Sequence, residues 1–72
     1  MDVIHGEIVY QDIETGFWAI KDYENKIWQL LNIPEELKKE GTEVELHVKI
    51  VEQESAFMSG EALDIIDYAV VD

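Results

Sequence analysis

The most regular stretch of the chain runs from Thr42 to Gln53. There Val44, Leu46, Val48 and Ile50 alternate with Glu43, Glu45, His47 and Lys49. A period of two predicts a long strand with one dry face and one wet face. Three shorter β-type runs precede it, over Val3–Ile13, Phe17–Asp22 and Lys26–Leu31. The first is rich in β-branched residues but interrupted by Gly6, and glycine inside a strand marks a bulge or a sharp bend. Glu14-Thr15-Gly16 and Tyr23-Glu24-Asn25 read as the intervening turns, with Asn25 suited to a left-handed position. Turns of this length join antiparallel neighbours. After a loop over Glu54–Gly60, a last strand runs from Glu61 to about Val71. Leu63 and Ile65 are in step there, whereas Ile66, Tyr68 and Val70 follow the opposite phase. This predicts a bulge near Asp67, or a tail leaving the sheet.

One segment breaks the β pattern. Pro34 is the only proline, and the run to Gly41 predicts a helix of about two turns. Proline suits a first helical turn, Glu35 and Glu36 complement the positive end of the dipole, and Lys38 and Lys39 the negative end. Gly41 would stop the helix. Ile33 and Leu37, four apart, would share a face and plug the rest of the fold.

The expected order is strand, strand, strand, helix, strand, strand. It predicts a mainly β domain over residues 1–72, a five-stranded OB-type barrel with one short helix between strands 3 and 4. An SH3-like barrel would carry at most a short 3₁₀ turn near its end. The chain also resembles small prokaryotic OB-type proteins of unknown function. Gly16-Phe17-Trp18-Ala19-Ile20, Leu31-Asn32-Ile33-Pro34-Glu35-Glu36-Leu37, Gly41 and Phe57-Met58-Ser59-Gly60 carry the likeness. Those proteins repeat a Gly-Phe strand start, an Asn-Leu-Pro helix entry and a Met-Trp-Gly turn, where this chain has Ser59 in place of the tryptophan. The resemblance implies the fold and says little about activity.

Composition narrows the function. The 72 residues are 47% apolar and include seven aromatic side chains: Tyr10, Phe17, Trp18, Tyr23, Trp28, Phe57 and Tyr68. A chain of this size buries only about 60% of its unfolded surface, so such large side chains matter to its core. Seventeen acidic residues stand against five basic ones, all lysine, for a net charge of −12. Nucleic-acid binding relies on Lys and Arg at phosphates, so this balance disfavours it, as it disfavours an anionic membrane. Acidity either keeps a small domain soluble or presents a face to a basic partner. With no cysteine there is no disulfide or thiolate site. The start, MDVIHGEIVY, lacks the basic and apolar regions of a signal peptide, and no apolar run approaches the ~20 residues of a membrane span. A cytoplasmic location is expected.

Candidate chemistry is sparse. His5 and His47 lack the spacing of a metal pair, and a zinc site draws three or four convergent ligands. Asp12–Gly16 and Asp22–Lys26 place acidic residues two apart, but a calcium loop needs a later bidentate Glu, and Asp and Asn populate turns for backbone reasons alone. Paired carboxylates serve glycosidases only in a cleft that a filled small barrel lacks. The chain has two serines, Ser55 and Ser59, and no nucleophile elbow or phosphate loop. No catalytic residue, metal or cofactor is expected. The expected function is a non-catalytic binding or protein-interaction module.

Strands 2 and 3 form the usual ligand face of OB domains. Here they offer Phe17, Trp18, Lys21, Ile27 and Trp28 as a binding surface. If Ile20 and Leu30 are core, Phe17, Ile27 and Gln29 face outward with Lys21. An aromatic platform beside lysine stacks single-stranded nucleic acid, and aromatic rings also stack on small ligands or oligosaccharides. Equally, Phe17, Trp18 and Trp28 could be spent filling the barrel. The apolar surplus of Leu63–Val71 offers a second surface, for another protein or for self-association.

Overall fold

A computed structural model describes residues 2–12, 16–53 and 60–71. The turn expected at Glu14 and Thr15 and the loop Glu54–Ser59, with Phe57 and Met58, lie outside the described residues. The described residues form five strands: β1 (Asp2–Gln11), β2 (Phe17–Asp22), β3 (Ile27–Leu30), β4 (Glu43–Gln53) and β5 (Gly60–Val70). They close into a ring in the order β1-β2-β3-β5-β4. Every pairing is antiparallel except β3 with β5. No helix of the described residues is long and apolar enough to cross a membrane.

The ring works because β1 serves two neighbours. Its first half, Asp2–Glu7, pairs with β4, and its second half, Gly6–Gln11, pairs with β2. Both ladders meet at Gly6, opposite Val44 on one side and Asp22 on the other. A Cβ at Gly6 would overlap the Lys21 carbonyl and lie 2.9 Å from the Asp22 Cα, so only glycine lets the two backbones approach this closely. Beyond the bend, Ile8 takes its hydrogen bonds from the chain that enters β4. The Ile8 amide donates to the Thr42 carbonyl at 2.8 Å, and the Gly41 amide donates to the Ile8 carbonyl at 2.9 Å.

Alternation on β4 holds in three dimensions. Val44, Leu46 and Val48 are buried and Ile50 packs against the core, opposite Val70, Tyr68, Ile65 and Leu63 of β5 in turn. The phase change in β5 is a bulge. His47 pairs with Asp67 and Val48 with Ile65, which leaves Ile66 as the extra residue. The bulge resets the strand's parity, so Leu63 and Ile65 on one side of it and Tyr68 on the other all turn inward.

The helix expected over Pro34–Gly41 does not form; the segment holds a single 3₁₀ turn, Glu35–Leu37. Pro34 is extended (φ −65°, ψ 149°), and the Leu37 and Lys38 amides reach back only three residues, to the Pro34 and Glu35 carbonyls. Two turns of helix are marginal in isolation. Here the last residues are claimed by β1, since Gly41 and Thr42 pair with Ile8. Lys38 therefore salts to Glu35 at 3.0 Å within the turn rather than capping a helix end. The plug survives without the helix: Leu37 is fully buried and Ile33 packs on the core.

Asn32 completes the seam between β3 and β5. The Leu31 amide donates to the Leu63 carbonyl at 3.0 Å. One residue on, the Asn32 side chain accepts from the Ile65 amide at 2.8 Å and donates to the Ile65 carbonyl at 3.1 Å. Its amide thus acts as one more rung of the parallel ladder after β3 ends. The Tyr68 hydroxyl, on the far side of the bulge, donates to Glu36 of the 3₁₀ turn, which lowers the Glu36 carboxyl and raises the Tyr68 phenol from their ordinary values.

Two substitutions test this account. Leu37→Ala leaves a cavity under the plug and is expected to cost about 2–5 kcal/mol in urea unfolding, as a central core residue would. Gly6→Ala is expected to cost about 1–3 kcal/mol through the forced backbone shift, whereas Gly41→Ala meets no atom within 4 Å and suffers only from its positive φ of 88°. Equal effects at the two glycines would refute the bend at Gly6.

Candidate binding surface

The β2–β3 hairpin is organised by one carboxylate. Asp22 Oδ1 accepts the Glu24 and Lys26 amides at 2.9 Å each, and Oδ2 accepts the Trp28 indole N–H at 2.9 Å. Aspartate caps a turn by bonding the amide two residues on, and Asn25 takes the left-handed position at φ 65°. The indole N–H and then the Lys26 amide hold the Asp22 carboxyl below its ordinary value. Lys26 bends over the Trp28 ring, its Nζ 3.8 Å from the centroid. Of the two calcium-like spacings in the sequence, this one is a turn cap, with both Asp22 oxygens accepting N–H groups and Glu24 exposed. The other lies partly outside the described residues.

The hairpin register separates the five residues of the expected surface. Ile20 pairs with Trp28 and Lys21 with Ile27, so Trp18, Ile20, Trp28 and Leu30 share the inner face. Trp28 is 8% exposed and belongs to the core, and Trp18 is half-buried against it, its ring 5.2 Å from that of Tyr10 in a T-shaped contact. Phe17, Lys21 and Ile27 lie on the outer face, all half-buried. The outer row between them, Val9, Ala19 and Gln29, continues through Ala62 to Val51 around the ring. Ala19 and Ala62 are fully covered.

The structure brings other residues together. His5 of β1 pairs with Glu45 of β4, and both histidines reach one oxygen of that carboxylate. Nε2 of His5 is 3.4 Å and Nε2 of His47 3.8 Å from Glu45 Oε1. Among the described residues no three such groups are arranged to hold a metal ion. Next to His5, with ring centroids 6.2 Å apart, stands Tyr23, 72% exposed. Tyr23 separates two shallow grooves. One, of about 300 Å³, lies among Gly6, Glu7, Lys21, Asn25 and Glu43. The other, of about 260 Å³, lies between Val3, Ile4 and His5 of β1 and Asp22 and Glu24 of the turn. Sequence reasoning took Tyr23 only as a turn residue and kept the two histidines apart. The Asp22-x-Glu24 spacing signals the capped turn, but the meeting of His5 with Glu45 is set by the register between β1 and β4.

The Asp22 network carries a pH signature. A carboxyl held low in the folded state contributes stability that is complete above the unfolded value, near 3.9, and is lost as the pH falls through the lower folded value. Asp22→Asn must place an NH₂ where one oxygen accepted, against either the Trp28 indole or the turn amides. The variant is expected to lose stability at pH 7 and to show a shallower decline between pH 5 and 2, with altered Trp28 fluorescence. An acid profile identical to wild type would remove Asp22 from this role.

Comparison with protein families, curated proteins and solved structures finds no match to this chain, so the surface is read from its own chemistry.

Proposed function

We propose that this domain is a non-catalytic binding module on an OB-type barrel, and that its ligand is another protein. The ring order with a single parallel seam between β3 and β5 supports the OB reading, as does a β1 that bends at Gly6 to serve both neighbours. The likeness of Gly16–Ile20, Leu31–Leu37 and Gly41 to small prokaryotic OB-type proteins points the same way. The observation that carries the ligand class is where the aromatic rings lie. Both tryptophans of the expected stacking face lie inward, and Lys26 covers Trp28, whereas Tyr23 stands out among carboxylates on a chain of net charge −12. That favours a protein surface with basic groups over a strand of phosphates.

The last strand is a weaker candidate for main-chain pairing. Asn32 bonds both polar groups of Ile65, Ile66 is bulged, and the Asp67 carboxylate accepts the Tyr68 amide at 2.8 Å. Bulges and charged side chains on an edge oppose the addition of another strand. Its exposed Ile66, Val70 and Val71 still offer side-chain contact. A nucleic-acid reading keeps one supporting feature, the outer-face trio Phe17, Lys21 and Ile27.

Two measurements divide these readings. Cross-linking of the tagged chain in its source cells is expected to identify a protein partner that, once purified, forms a defined complex in light scattering. Titration with a single-stranded oligonucleotide at low salt is expected to leave tryptophan fluorescence unchanged at micromolar levels. Saturable quenching together with a failed protein complex would replace this proposal with nucleic-acid binding.

A further inference from the structure

Tyr23 has no structural reason to be a tyrosine. Turn positions call for Gly, Asn, Asp or Ser, and Tyr23 lies between the cap at Asp22 and the left-handed Asn25. Among the described residues its one ring–ring contact is with His5, and at 72% it is the most exposed large apolar side chain. What it does build is the wall of the 260 Å³ groove whose other wall is Val3, Ile4 and His5. Val3 is also exposed, and the groove opens beside the carboxylates of Asp22 and Glu24, with Glu45 beyond His5.

We propose that this groove takes an arginine side chain presented by a basic partner protein. The inference rests on the protein-binding reading above and names the contact through which it works. Shape argues for a side chain: the groove is shallow and open, whereas small-molecule sites enclose most of their ligand. Charge argues for a cation, since seventeen acidic residues face five lysines and the chain has no arginine of its own. The pairing of an aromatic ring with a carboxylate selects guanidinium over ammonium. A guanidinium stacks on the ring while its fork meets the carboxylate, and it sheds water more readily than an ammonium. The same hairpin already holds one cation over a ring, Lys26 above Trp28, while Asp22 accepts the indole N–H. Glu24 is exposed, so its carboxylate is the one placed to meet an incoming charge.

The test is an amide chemical-shift titration of the whole labelled chain with an acetylated Gly-Arg-Gly-Arg-Gly peptide, its lysine counterpart and its glutamate counterpart. The arginine peptide is expected to shift Val3–His5 and Asp22–Glu24 saturably and to bind more tightly than the lysine peptide. Tyr23→Ala is expected to weaken it roughly two- to fivefold, the loss of one exposed cation–π contact, and Tyr23→Phe to leave it unchanged. Glu52→Gln, at an exposed position of β4, removes the same charge as Glu24→Gln but is expected to have the smaller effect. Equal binding of the arginine and lysine peptides, or shifts spread evenly over the acidic surface, would overturn the groove. So would a Tyr23→Ala variant that binds like wild type. If the cross-linked partner still binds Tyr23→Ala at full affinity, the groove fails while the protein-binding reading stands. If neither partner nor peptide binds, both fail.

Discussion

Pairing between β3 and β5 is the interaction on which the ring depends, because it is the shortest seam and joins strands that run in the same direction. Parallel strands cannot be joined by a hairpin and need a long crossover, here the route through the 3₁₀ turn and β4. Only Gln29–Ala62 and Leu30–Leu63 pair directly. The Leu31 amide and the Asn32 side chain extend the seam to Leu63 and Ile65, up to the bulge at Ile66. A side-chain amide offers one donor and one acceptor in nearly the spacing of a peptide group, so it can extend a ladder where the backbone has turned away. With that seam closed, the inward faces of all five strands meet around one core, and Leu37 seals it.

The hairpin carrying the proposed binding surface is held by the opposite kind of device. Asp22 gathers three N–H donors, fixing the turn and the Trp28 ring together. That network fixes the turn without using the next side chain, and Tyr23 projects from it, its ring edge-on to His5. Sites supported by locked neighbours present their groups in one geometry, which lowers the cost of ordering on binding. A net charge of −12 acts over a longer range, favouring approach by positively charged surfaces.

The strands were legible because their signals are local. Alternation in Val44–Ile50 needs only a period of two, Asn25 needs only the tolerance of asparagine for a left-handed turn, and the parity break before Tyr68 announces a bulge. Gly6 could be marked as a bend for the same reason. The helix at Pro34–Gly41 was misjudged because its signals are also local. Pro34, Glu35, Lys38 and Gly41 each suit a helix, yet Gly41 and Thr42 are needed by Ile8, more than thirty residues earlier in the chain. A backbone group bonded across the fold cannot also close a helical turn.

The sequence by itself determined the β class, the order of the five strands, the inward residues of β4 and the excess of carboxylates over lysines. Tertiary structure decided that Trp28 is spent in the core and that Tyr23 is offered to solvent. Trp18 and Trp28 lie on the strands of one hairpin and Tyr23 in its turn, and that placement alone does not say which ring is covered. Their fates diverge because register places Trp28 opposite Ile20 and over the core, and because Asp22 turns the chain so that Tyr23 faces β1. Register and ring closure are properties of strand pairs, and no single segment contains them.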